Sequence, residues 1–335
     1  MASFITNGAR EVLGPYFEPV RDLFWSVFAV DSRMAPAWIG SYVLLALLVY
    51  LRVERKPGEP FFRGLWAYLF PKDIYRHAST KSDLAFFAVD RLLFFFALGT
   101  LEISGETVKA ALLSLSPVEP AARSIWQSAL LTLFAFLAYD FGAFLWHFAS
   151  HRLQVLWAFH RVHHAVEVLN PLSNYREHPV DSLGRVLTQG VLVGATAAAA
   201  LHLLPGARTV TVAGLNAVYL PFFVFFNARH SHVWISFGRW WSRILSSPAQ
   251  HQCHHGTAPE HIDVNYGLVL SIWDWVAGTL YVPNGREQVN YGLVGEVRPF
   301  PTVLSMYVLP FRDAWLRLRG VAPVKNAVAS NQVSS

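Results

Sequence analysis

The chain has 335 residues, of which 53% are hydrophobic, 15% aromatic and only 15% charged. Soluble domains carry about 25% charged residues, so this composition argues against a protein that is monomeric in water and favours one that resides in a membrane. The net charge of +5 comes without a basic helix or a basic patch interleaved with aromatic residues, so nucleic acid is not an expected partner. The single cysteine, Cys253, excludes an internal disulfide and a metal site made of four thiolates.

Several apolar stretches are long enough, or nearly long enough, to cross a bilayer as helices. They cover residues 35–51, 84–103, 124–148, 187–204 and 209–226. The last two flank a tight turn at 205–208 and look like a transmembrane hairpin. We therefore predict an all-α integral membrane protein with about five spanning helices.

The remaining segments are too polar or too mixed to span. Residues 1–34 combine charges with aromatic side chains and are predicted to form an N-terminal interfacial segment. Residues 266–280 and 303–315 are predicted to lie on the membrane, and the tail from about residue 324 is predicted to be disordered. This divides the chain into the N-terminal segment, a membrane domain at 35–283, and a C-terminal interfacial segment with a flexible tail at 284–335.

Loop charge predicts the orientation of the spans. The segments 52–82, 149–186 and 227–243 are rich in Lys and Arg, whereas the loops between them on the other side carry few positive charges. Positively charged loops stay in the cytosol, which places these three segments there. Every histidine cluster falls on the same side, so we predict a cytosol-facing helical cap, in the inner membrane of a bacterium or the endoplasmic reticulum of a eukaryote.

Histidines carry the strongest chemical signal in the sequence. Thirteen of the 14 lie between His147 and His261. Most form boxes with the spacings His147-x-x-x-His151, His160-x-x-His163-His164, His230-x-His232 and His251-x-x-His254-His255. Residues at i, i+3 and i+4 share one helix face, so each box can present several imidazoles to one point. Imidazole is the commonest neutral metal ligand, and nine convergent rings predict two metal ions.

Other chemistries fit the pattern less well. Haem proteins hold their iron with isolated axial histidines on facing spans, whereas the histidines here are clustered. The sequence has neither the Gly-x-Ser-x-Gly elbow of a serine hydrolase nor the His-Glu-x-x-His motif of a zincin. His77 and His202 stand alone and are predicted to be structural or solvent-facing. The spacing by itself admits zinc as well as iron.

The boxes, their order and their position after apolar spans resemble the fatty acid hydroxylase/sterol desaturase superfamily of membrane di-iron enzymes. The resemblance covers roughly residues 83–283. It rests on Leu156-Trp-Ala-Phe-His-Arg-Val-His-His164, on Ser247-Pro-Ala-Gln-His-Gln-Cys-His-His-Gly256, and on the Asp263-Val-Asn-Tyr-Gly267 and Ile272-Trp-Asp274 motifs that follow. The C-terminal run looks most like the alkylglycerol monooxygenase branch and its bacterial relatives, although Arg152 stands where that branch carries a glutamate.

The resemblance implies a ligand set, two iron ions and O₂ as co-substrate. The implied ligands are His147, His151, His160, His163, His164, His230, His251, His254 and His255. Two residues apart on a helix or strand, His230 and His232 point in different directions, so only one of them is expected to bind metal. We assign His230 to the metal and His232 to a hydrogen-bonding or surface role.

Further polar residues are candidates for catalytic or supporting roles. Asp263 and Asp274, with Asn265 beside them, are expected to accept the free imidazole N–H groups, or else to serve as cap or turn residues. Asp140 lies inside an apolar span, about 10 Å from His147 along the helix, and is predicted to pair across helices or to line the substrate channel. His178 and His261 complete the set of candidate catalytic residues.

The resemblance implies O₂-dependent hydroxylation or desaturation of a C–H bond in a membrane lipid, acyl chain or sterol. The alternatives are an ether-lipid monooxygenase and, from a different class, a membrane zinc hydrolase that uses the same histidines. No electron-transfer module is recognisable in the chain. Electrons are therefore expected from a separate donor, such as a cytochrome b5-like protein, a ferredoxin or a pterin.

Overall fold

The computed structural model describes residues 36–93, 105–119, 121–212, 215–296 and 299–321. Within these residues the chain is mainly helical. The predicted segment 1–34, the end of the predicted span 84–103 and the tail from residue 324 lie outside the described residues. The α-helices are α1 Pro36–Val49, α2 Phe61–Leu69, α3 Lys72–Tyr75, α4 Ala78–Leu93, α5 Gly105–Leu115, α6 Ile125–Arg152, α7 Gln154–His164, α8 Pro179–Leu203, α9 Leu220–Arg229, α10 Gly238–Trp241, α11 Pro248–His254, α12 Ile272–Ala277 and α13 Val303–Leu318.

Two long antiparallel helices, α6 and α8, form the frame of the fold. With 28 and 25 residues, they are the two described helices that are long and apolar enough to cross a membrane. Ser124 caps α6 by accepting a hydrogen bond from the Gln127 amide. The two helices approach closely at glycines, since a Cβ on Gly142 would lie 3.0 Å from the Gln189 Cα. Small residues at such contacts are typical of helices packed in membranes.

The first predicted span corresponds to α1, which continues as a π-helical turn at Tyr50–Glu54. It packs on α9 through a buried cluster in which Tyr42 and Ala46 meet Ala228 and Val233. This contact positions α9 and the residue that follows it, His230, whose ring lies 4.8 Å from that of His163 on α7.

Residues 209–226 do not form the predicted fifth spanning helix. They contain a two-stranded antiparallel hairpin, β1 Thr211–Val212 with β2 Leu215–Asn216, a 3₁₀ turn at Ala217–Tyr219 and the start of α9. The β-branched residues at 209–212 favour extended backbone, and Pro221 occupies the first turn of a new helix. The ten residues of α9 span about 15 Å, half the hydrocarbon thickness of a bilayer.

The C-terminal half folds over one end of α6 and α8. Helix α13 packs against α4 and α7 in a core that contains Phe86, Val162 and Met306. Arg161 on α7 is buried and forms an ion pair with Asp313 of α13 at 3.0 Å. Residues 266–280, predicted to lie on the membrane, place the buried Tyr266 ring beside that of His147 and leave Trp275 and Val276 exposed.

Candidate metal centre

Four elements deliver the nine histidines that the sequence singled out as ligands. His147 and His151 lie one turn apart at the end of α6. After a break at Leu153, α7 brings the second box back towards them. His230 is the residue at the C-terminal cap of α9, and α11 with its cap residue supplies the last box. The serine Ser247, which caps α11 in a capping box with Gln250, fixes where that helix begins.

The structure divides these histidines into two groups, and within each group the ligand atoms lie within 4.8 Å of one another. The first group, called the group of five, consists of His147, His151, His160, His164 and His254. The second, called the group of four, consists of His163, His230, His251 and His255. The groups touch, since the rings of His164 and His255 stack with centroids 4.4 Å apart. This arrangement fits two neighbouring cations.

In the group of five, three histidines each have one ring nitrogen held by a hydrogen bond and the other directed into the group. The Nδ1–H groups of His147 and His254 donate to the carbonyls of Tyr266 and Val264 at 2.9 and 2.6 Å. That of His160 donates to the Asp181 carboxylate at 2.7 Å. The Nε2 atoms of these three histidines are buried and have no hydrogen-bond partner among the described residues. Unprotonated Nε2 atoms that converge in this way are the donor set a metal ion requires.

The group of four has the same inward-facing nitrogens but different support. The Nε2 atoms of His230 and His251 lie 2.9 Å apart. The Ser173 hydroxyl donates to the Asn170 carbonyl at 2.7 Å, so it can accept the Nδ1–H of His230, which lies 3.0 Å away. That tautomer leaves a lone pair on the His230 Nε2, directed at His251.

Arg229 is the nearest charge to the group of four. Its Nη2 lies 2.7 Å from the Nδ1 of His251 and also donates to the Gly267 carbonyl at 2.9 Å. The guanidinium is buried, so its positive charge acts at short range in a medium of low polarisability. We infer that Arg229 disfavours protonation of the adjacent imidazole.

Burial keeps the histidines of the cap neutral. It lowers the pKa of His163 to about 4. Burial also lowers the pKa values of four further histidines well below the usual value: His164, His251, His254 and His255. Neighbouring imidazoles lower these pKa values further, and so does Arg229 for His251 and His254. Neutral imidazole is the form that binds metal, so these residues are ready to bind a cation at pH 7.

The loop at 263–267 supports the group of five through its backbone. The Asp274 carboxylate accepts hydrogen bonds from the amides of Tyr266 and Gly267 at 2.8 and 2.7 Å, which orients the carbonyls that hold His147 and His254. Asn265 ties the same loop to α11 by donating to the Gln250 carbonyl at 3.1 Å. Asp274 and Asn265 therefore position the loop and do not themselves contact an imidazole.

Asp263 is the predicted supporting carboxylate that does reach a histidine. Its Oδ1 lies 3.4 Å from the Nδ1 of His151, and its Oδ2 lies 3.6 Å from Arg152. Asp263 and Asn265 both have positive φ angles, 60° and 57°, in the left-handed region that non-glycine residues rarely adopt. This strained backbone turns the loop carbonyls towards the histidines.

Asp140 pairs across helices, the first of its two predicted roles. Its carboxylate accepts hydrogen bonds from the amides of Val269 and Leu270 at 2.8 and 3.1 Å and from the Trp273 indole at 2.8 Å. It thereby anchors the segment before α12 to the middle of α6.

Two predicted catalytic histidines, His178 and His261, lie outside both groups. His178 caps α8: its Nδ1 accepts the Val180 amide and its Nε2–H donates to the Tyr307 carbonyl, so both nitrogens are used. His261 contacts Glu287 instead. His232 also lies apart, with its ring 5.1 Å from that of Tyr68.

The structure adds three residues that the sequence did not single out: Asp181, Ser173 and Arg229. Asp181 follows His160 by 21 residues, and Ser173 lies 57 residues before His230. No local spacing links such pairs, because they meet only when α8 and the 3₁₀ turn at Pro171–Tyr175 pack against α7 and α9. Arg229 precedes His230 directly, but positive charge beside a metal site is not a pattern that would have identified it.

Two cavities open onto the histidines from different sides. A cavity of about 80 Å³ has an apolar wall of Ala143, Trp146, Phe226 and Leu268 and is also lined by histidines of both groups and by Arg185 and Glu177. A second cavity, of about 380 Å³, lies against the group of five and is lined by Trp157, Asp263 and Leu293, among others. The centre is therefore approachable from an apolar side and from a more polar side.

Comparison with known proteins finds similarity over part of the chain. Residues 132–279 match the family model described as fatty acid hydroxylase. The alkylglycerol monooxygenase of Danio rerio is 30% identical over 204 residues, which cover 61% of this chain and 42% of that protein. The human enzyme of the same name is 31% identical over 178 residues, 53% of this chain and 36% of that protein.

Two further relatives carry other names. The ornithine lipid hydroxylase OlsE of Rhizobium tropici is 28% identical over 173 residues, 51% of this chain and 48% of that protein. A Delta(7)-sterol 5(6)-desaturase of Eremothecium gossypii is 28% identical over 173 residues, 50% of this chain and 42% of that protein. The chain spans less than half the length of each of these relatives. No solved structure matches it.

Proposed function

We propose that this chain, whose residues 132–279 match the fatty acid hydroxylase family model, is an O₂-dependent di-iron oxidoreductase that hydroxylates or desaturates a C–H bond of a membrane lipid. The observation that carries the proposal is the division of nine buried histidines into two touching groups beside an apolar-walled cavity. The relatives are named for oxidations of alkylglycerols, ornithine lipids and sterols, which supports a lipid as the substrate.

The two groups would each hold one iron ion. Their donor atoms are all imidazole nitrogens, a set that suits iron but also other transition metals, so the choice of iron follows from the family. When bound, a pair of iron ions supplies the activation of O₂ for attack on an unactivated C–H bond. Hydroxylation then balances as R–H, O₂, two electrons and two protons giving R–OH and water.

The residues of the apolar-walled cavity would position the lipid. Trp146, Phe226 and Leu268 offer an apolar wall that can hold a hydrocarbon chain and exclude water. Arg185 and Glu177 line the same cavity and form a bidentate ion pair, with Nε–Oε1 and Nη2–Oε2 distances of 2.9 and 3.0 Å. Charged groups are costly in an apolar setting, so we propose that this pair recognises a polar group of the substrate.

We propose that a separate donor supplies the electrons. We propose that the centre faces the cytosol, since the Arg-rich segments that flank it favour that side. Cysteines introduced at position 208, on the opposite loop, and at 239, near the centre, test this orientation. We expect an impermeant thiol reagent applied to the outside of intact cells to label the first and not the second. Labelling of position 208 from the cytosolic side alone would overturn it.

The deciding experiment is isotope labelling. Membranes containing the protein, supplied with reductant and total lipid extract, are incubated under ¹⁸O₂, and the lipids are compared by mass spectrometry with those from membranes containing the His255→Ala variant. We expect either a new lipid that contains one ¹⁸O atom or a lipid that has lost two hydrogens with ¹⁸O in water. Lipid conversion that persists without O₂ and reductant would instead support the zinc hydrolase.

A further inference from the structure

A third group of metal-binding side chains, separate from the catalytic centre, consists of Cys253, His261 and Glu287. Their ligand atoms lie within 4.8 Å of one another. Cys253 is on α11 next to His254, but residues 251 and 253 point about 200° apart on a helix, so the cysteine lies on the far side from His251. The group joins three segments: α11, the 3₁₀ turn at Pro259–His261 and the loop that carries Glu287.

The three side chains share one point. The Glu287 Oε2 lies 2.8 Å from the Nε2 of His261 and 3.7 Å from the Sγ of Cys253. The other carboxylate oxygen is held by the Tyr281 hydroxyl, which donates to Oε1 at 2.9 Å. Cys253 is fully buried and His261 is 3% exposed, whereas the Glu287 side chain is 24% exposed. One carboxylate oxygen is therefore directed at a buried sulfur and a buried nitrogen.

We propose that Cys253, His261 and Glu287 bind a single zinc ion with a structural role. Sulfur, imidazole nitrogen and carboxylate oxygen are the three ligand types of zinc, at about 2.3, 2.0–2.1 and 2.0–2.2 Å. A tetrahedron with those arms has edges of roughly 3.3–3.7 Å. The observed sulfur–oxygen distance matches such an edge, and the nitrogen–oxygen distance needs to widen by about half an ångström. A water molecule on the exposed side of Glu287 would close the fourth position, and the site lies apart from both groups that would bind O₂ and substrate.

Charge balance favours a divalent ion at this site over the alternative of hydrogen bonds alone. Binding releases the thiol proton to solvent, which leaves a thiolate and a carboxylate whose two negative charges equal the charge of the ion. A thiol is a weak hydrogen-bond donor, so the Cys253–Glu287 contact gains little from a hydrogen bond at 3.7 Å. The thiolate also distinguishes this site from the two catalytic groups, whose donors are all imidazoles.

The position of the site explains what the zinc ion would do. Helix α11 and its cap residue carry His251, His254 and His255, a third of the catalytic ligands. A zinc ion on the other face of this helix would fix it to the Glu287 loop and to the turn that contains His261. The ion would thus hold the last histidine box in register without contacting substrate.

Cobalt substitution tests the proposal directly, because Cys253 is the only cysteine in the chain. Purified full-length protein is stripped of metal and titrated with Co²⁺ while its absorption spectrum is recorded. We expect a thiolate-to-cobalt charge-transfer band in the near ultraviolet that saturates at one equivalent and is absent from the Cys253→Ser variant. Visible bands from cobalt bound by imidazoles should appear in both proteins.

Elemental analysis provides the second measurement. We expect one equivalent of zinc in the protein as purified, lost in Cys253→Ser and in Glu287→Gln, and retained in the matched control His202→Ala. If the wild-type protein shows imidazole-bound cobalt without the thiolate band, the proposal is wrong, whether or not the variants fold. Failure of the di-iron proposal would instead remove the imidazole bands or the oxidation activity and leave the thiolate band in place.

Discussion

The group of five and the group of four differ in what holds their rings. In the group of five, the Nδ1 atoms of His160 and His147 are held by a carboxylate and by a backbone carbonyl. In the group of four, a neutral hydroxyl supports His230, and the guanidinium of Arg229 lies beside His251. An anionic partner makes an imidazole a stronger donor to a metal, whereas a nearby cation makes it a weaker one.

This difference suggests a division of labour between the two ions that we propose. Five imidazoles fill more of the coordination sphere of an ion than four, and the group of five is also the better supported. Catalytic metal sites keep positions open for the reacting molecule, whereas structural ones are closed. We therefore expect the ion in the group of four to be held less tightly and to be the more sensitive to substitution.

The largest expected effect comes from removing a ligand of the weaker group. His230→Ala leaves three histidines there, so we expect loss of oxidation activity and of one of two iron equivalents per chain. The matched control is His232→Ala, two residues away and against Tyr68, which should keep both ions and the activity. Anaerobic purification followed by elemental analysis measures the iron content.

His164→Ala sharpens the comparison, because it removes one of five ligands from the other group. We expect the His164→Ala protein to contain more iron per chain than the His230→Ala protein does. Loss of metal in His232→Ala with retention in His230→Ala would reverse our ligand assignment. Equal loss from both ligand variants would mean that the two groups do not differ in affinity.

A smaller effect is expected when only the support of a ligand is removed. Asp181→Asn replaces the carboxylate that accepts the His160 Nδ1–H at 2.7 Å and leaves all nine histidines in place. Substitution of such partners typically costs 10–100-fold in metal affinity or activity. Competition with a chelator of known affinity measures the change for iron, and thermal unfolding of the metal-free protein shows whether the fold is kept. An unchanged iron affinity would show that the contact does not strengthen His160 as a ligand.

The sequence predicted the histidines as a set, but it could not predict how they would divide. Spacings of three and four residues place His160, His163 and His164 near one helix face. Neighbours on a helix are nevertheless about 100° apart, so His163 joins the group of four and His164 the group of five. His254 and His255 separate in the same way. The partners from other elements depend on packing between α7, α9 and α11, which no local pattern encodes.

The prediction of the fold from the sequence was limited in the same way. The predicted span 124–148 corresponds to α6 and its cap residue Ser124, because a long apolar run with a serine cap is a strong helix signal. Residues 209–226 are equally apolar, but β-branched residues and Pro221 break them into a hairpin and a short helix. Length and hydropathy therefore identified the apolar segment without identifying its conformation. Asp181 was missed for a related reason, since its role exists only once α8 packs on α7.

The smallest effect should come from Ser173→Ala, which removes the neutral hydroxyl beside the His230 Nδ1 at 3.0 Å. Hydrogen bonds between neutral groups contribute about 0.5–1.5 kcal/mol and those to charged groups about 1.5–3 kcal/mol. Iron affinity at the group of four should therefore fall by up to about tenfold, less than Asp181→Asn lowers it at the group of five. The same chelator competition measures both variants. If Ser173→Ala weakens iron binding as much as Asp181→Asn, the charge of the partner does not set the strength of the ligand, and the two groups differ only in the number of their histidines.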